Sequence, residues 1–156
     1  MLVTSIAMSS CREQAVIDAP PQVIWDLVGD VRNHPRWWPR VVEVECDEVK
    51  QGCTYRRVLK GPMRTDDTTV LIERLDDCHE ILIRCLDTGS YSRIVLTPAQ
   101  GSTFVDAEAG MDPKLLVDKV IDPFAGKRYF RGWLRQTLDA LRREAAARNP
   151  STVRQT

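Results

Sequence analysis

Two histidines and no Cys-x-x-Cys pair leave this chain of 156 residues little from which to build a metal centre. A zinc site needs four close ligands, usually supplied in short-spaced pairs. The five cysteines, Cys11, Cys46, Cys53, Cys78 and Cys85, are scattered instead, and are expected to be free thiols in a reducing cytoplasm. No segment approaches the roughly 20 apolar residues that a membrane span requires, so no integral membrane association is expected. An excess of either charge is also missing. Lys+Arg and Asp+Glu both number 22, which gives the overall balance no bias towards nucleic acid. The absence of a Gly-rich phosphate loop, an HExxH pair or a Rossmann fingerprint removes the commonest cofactor sites, and neither cofactor nor metal is expected. The first seven residues are mildly apolar but carry no basic flank, so they do not read as a secretory signal, and a cytoplasmic location follows as an expectation.

What is present is globular. Hydrophobic residues make up 43% and charged residues 28% of a length that suits one domain, here placed at residues 1–148 with a frayed tail over 149–156. Residues 9–17 read as a strand broken by Asp18-Ala19-Pro20-Pro21. Pro21 can open a short helix without losing a hydrogen bond, and Val23, Ile24, Leu27 and Val28 then share one face. Asn33-His34-Pro35-Arg36-Trp37-Trp38-Pro39 suits a single further turn. Six strands are expected near 41–49, 53–60, 64–75, 79–86, 91–97 and 102–110, separated by turn signals at the spacing of an antiparallel meander. Residues 112–147 read as a helix that Pro123 should kink or divide. Its inward stripe is Leu116, Val120, Phe124, Phe130, Leu134, Leu138, Leu141 and Ala145.

The Ala19-Pro20 break, the Trp25 helix, the Trp37-Trp38-Pro39 turn, the meander and a last helix with Phe130, Trp133 and Leu134 together resemble the START-like (SRPBCC) superfamily of polyketide cyclase/dehydrase type. The resemblance implies an α+β helix-grip fold: a seven-stranded antiparallel sheet wrapped around a long C-terminal helix, with two short helices after the first strand. It also implies a cavity for an apolar ligand, without naming the ligand or an activity.

Strict alternation across simple hairpins puts Leu71, Ile81, Ile83, Ile94, Leu96, Val105 and Ala107 on the core face and Arg84, Arg93, Asp106 and Glu108 on the other, with Arg93 opposite Asp106. One bulge would reverse the choice locally. In this register Arg56 points inward and Arg57 outward, and Glu73 joins the apolar face as a carboxylate suited to acid/base work. Thr54 and Thr69 are candidate pocket hydroxyls. Trp38, Ile83, Ile94, Leu116, Val120 and Phe124 would line an apolar cavity, with Thr54 at its polar side. His34 and His79 are expected at the surface, and one ring of the Trp37-Trp38 pair is expected outside. Three functions are compatible with this pattern. The first is binding of a small apolar or amphipathic ligand such as a lipid or polyketide-like molecule. The second is a polyketide cyclase or aromatase using Arg56 and Glu73, and the third is a non-catalytic protein-interaction module presenting Trp37-Trp38 and the charged outer face of the last helix. A homodimer is compatible with each.

Overall fold

The computed structural model describes residues 10–61, 63–111 and 123–148, with side chains of the last segment from 128 onwards. Its strands are β1 (Ser10–Ile17), β2 (Val41–Glu45), β3 (Thr54–Lys60), β4 (Thr65–Asp76), β5 (Glu80–Cys85), β6 (Tyr91–Ala99) and β7 (Ser102–Gly110). The helices are α1 (Pro21–Val28), α2 (His34–Trp37) and α3 (Pro123–Arg148), with a 3₁₀ turn at Val31–Asn33. All strands belong to one antiparallel sheet in the order β1-β7-β6-β5-β4-β3-β2. This is the helix-grip arrangement: α3 packs chiefly across β1 and β7, while α1 and α2 cover the same side of the sheet nearer β6 and β2. The expected kink at Pro123 involves residues outside those described.

The core lies between the sheet and the helices. Ile72, Ile81, Ile83, Ile94, Leu96, Val105 and Ala107 meet Ile24, Leu27 and Val28 of α1 and Phe130, Leu134, Leu138, Leu141 and Ala145 of α3, all buried. Arg135, Arg142 and Arg143 stay on the exposed side of α3, as its amphipathic pattern demands. Three C-terminal carbonyls of α1 find side-chain donors in the following turn, those of Leu27 and Val28 in the interior. Asn33 Nδ2 donates to Asp26 O, Trp37 Nε1 to Leu27 O and His34 Nε2 to Val28 O, each at 2.8 Å. This bonding is why both Trp37 and His34 are interior, although His34 and one of the two tryptophans were expected outside. Trp38 is buried as well, stacked between Trp37 and Trp133. His79 is exposed as expected.

Two turns set registers that simple hairpins do not give. Gln100 and Gly101 both have positive φ, 49° and 87°, and form a two-residue turn closed by the Ala99–Ser102 pair. The turn is centred one residue later than Pro98-Ala99-Gln100-Gly101 implies. Arg93 therefore faces Glu108, and Asp106 faces Val95, instead of Arg93 facing Asp106. Arg93 is ion-paired with Glu80, whose carboxylate Arg74 also approaches. The second correction is a bulge in β4. From the β4–β5 turn the pairing runs Asp76–Glu80 and Leu75–Ile81, then shifts between Ile72 and Arg74 so that Ile72, not Glu73, faces Ile83.

Gly29 ends α1, and a β-carbon there would stand 2.3 Å from the Trp25 indole. Gly29→Ala should therefore destabilise the protein by about 1–3 kcal/mol through overpacking of a rigid ring. A urea midpoint unchanged from the parent would contradict this packing.

Candidate functional site

The bulge at Glu73 decides which side chains enter the interior. Beyond it, Val70 faces Cys85 and Thr68 faces Arg57, so the even-numbered residues of β4 and the odd-numbered residues of β3 turn inward. Tyr55, Arg57 and Thr68 are accordingly buried, while Thr54, Leu71 and Thr69 lie on the opposite face. Simple alternation had placed Arg56, Glu73 and Thr54 inside. The extra residue reverses all three at once, because side chains alternate with a period of two.

Arg56 is held on the solvent side by three carboxylates. Its guanidinium approaches Glu43 and Asp67 at 2.7 Å and Glu45 at 3.2 Å, and Asp67 does most to raise its already high pKa. Glu73 is paired with Arg84 at 3.2 Å, also outside. Neither residue lines the interior space, so the arrangement does not bring the expected acid/base pair to a ligand.

Arg57 does line it. A cavity of about 510 Å³ lies between the inner face of β3 to β6 and the first turns of α3, within the usual range for small-molecule sites. Leu59, Ile83, Cys85, Met111, Phe130 and Trp133 supply its apolar wall. Thr68 and Ser92 add hydroxyls, Lys60, Arg64, Asp66, Asp67 and Asp87 line its charged side, and Arg40 and Tyr129, also in the lining, are joined by a 2.6 Å hydrogen bond from the guanidinium. Of the expected lining residues, Ile83 is in this wall. Ile94 is in the core under α1, and Trp38 sits one ring behind the wall, stacked on Trp133 at 5.8 Å between centroids. Leu116 and Val120 lie outside the described residues, as does the side chain of Phe124.

The Arg57 guanidinium is the exceptional group. The residue is 5% exposed, its Nε has no hydrogen-bond partner, and among the described residues it has no carboxylate partner. Burying a cation this way is costly unless something supplies the missing charge or acceptor. Its neighbourhood contains further unsatisfied polar atoms: Tyr55 Oη, Trp38 Nε1 and His34 Nδ1. Burial pushes the Tyr55 hydroxyl above its ordinary pKa, against the opposing pull of the Arg57 charge. Complete burial pushes His34 down to about 4; its bond to Val28 O opposes this, and the Arg57 charge adds to it. His34 is therefore neutral near pH 7. Since its Nε2 meets a carbonyl, that nitrogen carries the proton and Nδ1 is a bare acceptor.

A family model described as "Polyketide cyclase / dehydrase and lipid transport" matches residues 8–146. The chain belongs to this family. Solved structures with the same fold include a START superfamily protein from Mycobacterium smegmatis, 14% identical, with a TM-score of 0.73 over 89% of this chain and 98% of that one. Another is the Zhui aromatase/cyclase from Streptomyces sp. R1128, 15% identical, with a TM-score of 0.64 over 92% of this chain and 94% of that one. The di-domain aromatase/cyclase StfQ of steffimycin biosynthesis is 14% identical, with a TM-score of 0.68 over 94% of this chain and 52% of its own. No curated protein matches by sequence. At these identities the likeness shows the fold of a polyketide cyclase/dehydrase and lipid transport family member, and the side chains of this member's cavity have to carry any statement about its ligand.

Among the described residues, no cluster of three or more His, Cys, Asp or Glu side chains is arranged to hold a metal ion, and no helix is long and apolar enough to cross a membrane. Alternation pointed to an inward arginine but selected the wrong one of the pair, and neither Tyr55 nor His34 was singled out as an interior polar group. The available signal was Tyr55-Arg56-Arg57 itself, where an aromatic two residues before an arginine shares its face.

His34 makes stability pH-dependent with a definite sign. Its folded pKa, about 4, lies below the ordinary 6.5, so unfolding takes up a proton between those values. The stabilisation is complete above the unfolded pKa and is lost as pH falls towards the folded one, amounting to about 3 kcal/mol. His34→Gln keeps an N–H for the Val28 carbonyl and should flatten the acid limb of stability measured by urea titration from about pH 7 to about pH 4.5. An acid limb as steep as the parent's would contradict the assignment.

Proposed function

We propose that the protein binds a small amphipathic molecule in this cavity, with the apolar body against Trp133, Phe130 and Ile83 and an acidic or carbonyl head against Arg57. The observation that carries the reading is Arg57, 5% exposed and with no hydrogen-bond partner for its Nε, in the wall of a cavity whose apolar side is Leu59, Ile83, Phe130 and Trp133 and whose polar side includes Asp66, Asp67 and Asp87. A carboxylate or polarised carbonyl supplies the acceptor that the protein withholds, and charge-assisted bonds of this kind are about twice as strong as neutral ones. The family description, which includes lipid transport, supports a ligand with a long apolar part.

A cyclase or aromatase reading uses the same space. Its support is the likeness in fold to two aromatase/cyclases and the presence of one inward arginine able to polarise a carbonyl. The roles expected for Arg56 and Glu73 find no support, since both are ion-paired outside the sheet. The interaction-module reading loses the Trp37-Trp38 part of its surface, because these residues are 6% and 3% exposed, and keeps only the charged outer face of α3.

Dodecanoate and dodecan-1-ol are suitable probes, with binding followed by tryptophan fluorescence or calorimetry. Arg57→Met should weaken dodecanoate binding about 10- to 100-fold, matching the loss of about 1.5–3 kcal/mol for a charged hydrogen bond, while leaving dodecanol unaffected. The variant should melt no lower than the parent, since an apolar isostere relieves an unpaired buried charge. Arg56→Met should bind dodecanoate as the parent does. Equal losses in the two variants, or none in Arg57→Met, would remove Arg57 as the anchor.

A further inference from the structure

Of the arginines in the cavity lining, Arg64 is ion-paired with Asp66 at 2.9 Å, whereas Arg40 and Arg57 have no carboxylate partner among the described residues. The acids of the same lining are already engaged: Asp66 by Arg64, Asp67 by Arg56 at 2.7 Å, and Asp87 by the Thr69 backbone N–H at 2.8 Å. The Arg40 and Arg57 guanidinium groups stand at different depths. Arg57 is 5% exposed, while Arg40 is half-buried and rests on Tyr129, which is 52% exposed. Arg40 donates to Tyr129 Oη at 2.6 Å, and its guanidinium lies 5.1 Å from the centre of that ring. Its backbone has a φ of 71°, a left-handed conformation that is costly for a residue other than glycine. The Lys60 N–H donates to Arg40 O at 2.8 Å, which sets Lys60, a further cation of the lining, beside Arg40.

We propose that Arg40 and Lys60 form an outer anion site in this cavity, so that the ligand is a dianion: an apolar chain with one acidic group against Arg57 and a second, at its other end, against Arg40. This rests on the cavity reading above and narrows its ligand class. Arg57 and Lys60 are three residues apart on β3, about 10 Å along the strand. Leu59 turns inward between them, and Phe130 and Trp133 line the same space, so the two cationic positions are separated by an apolar stretch. A single carboxylate held at Arg57 leaves Arg40 with only the Tyr129 hydroxyl as acceptor, and a hydroxyl supplies no charge. An acidic group at the far end gives Arg40 a charge-assisted partner, about twice as strong as a neutral one. Backbone strain persists where the surroundings enforce it, as at ligand clamps, and here it accompanies the placing of the Arg40 side chain on Tyr129 at the outer end of the cavity.

The test compares dodecanedioate with 12-hydroxydodecanoate, two acids with the same number of carbons whose far ends are a carboxylate and a hydroxyl, at about pH 8 where the carboxylates are ionised. The parent should bind the diacid about tenfold more tightly, the lower worth of a charged hydrogen bond. Arg40→Met keeps a non-glycine backbone and an unbranched stem, and should reduce this preference to roughly twofold or less. Equal binding of the two acids by the parent, or an undiminished preference in Arg40→Met, would overturn the outer site while leaving the cavity reading in place. Failure of the parent to bind either acid or dodecanoate would overturn both.

Discussion

One extra residue in β4 determines the chemistry of the interior. With pairing continued unbroken from the β4–β5 turn, Glu73 would face Ile83, and Glu73, Arg56 and Thr54 would share the inward face. The shift between Ile72 and Arg74 turns that set out to solvent, where Arg56 gathers Glu43, Glu45 and Asp67 and Glu73 takes Arg84. In its place the sheet presents Tyr55, Arg57 and Thr68. The same bulge therefore turns Arg56 and Glu73 outward and Arg57 inward, and Arg57 makes no ion pair among the described residues although Asp66, Asp67 and Asp87 also line the cavity.

Such a group is a thermodynamic liability in an empty protein. Replacement of buried charged residues by apolar ones of similar volume is often neutral or stabilising, so an arginine kept without an ion-pair partner in the cavity wall is better explained by what it binds than by what it stabilises. The apolar surfaces of Trp133, Phe130 and Ile83 would hold a ligand's body through area alone, and Arg57 would set which end goes in first. Through Nε2, His34 closes the end of α1 beside the aromatic ladder of Trp37, Trp38 and Trp133.

Much of the fold is legible in the chain because its punctuation is local. Gln51-Gly52 marks a turn by residue type, and the amphipathic stripe from Phe130 to Ala145 marks the face of α3 that the sheet grips. The site was less legible for a physical reason. A bulge has no strong residue signature, yet it inverts every side chain beyond it, so boundaries right to within one residue at β3 and β4 coexist with the wrong face for Arg56 and Arg57. The Arg93–Asp106 register failed through the placement of a two-residue turn, one position later than its four-residue signal suggested. His34 and Trp37 were misjudged because the demand they meet, the free carbonyls of α1, arises only once the helix has formed and the chain has turned back over its end.

The most direct test of a cavity built around Arg57 is native mass spectrometry of the protein purified gently from the cells that make it, followed by denaturing extraction of whatever it retains. The account predicts one molecule per chain, apolar along most of its length and acidic or carbonyl-bearing at one end, lost when Arg57 is replaced by Met. A retained molecule with no such polar end, held equally well by the Arg57→Met protein, would contradict it.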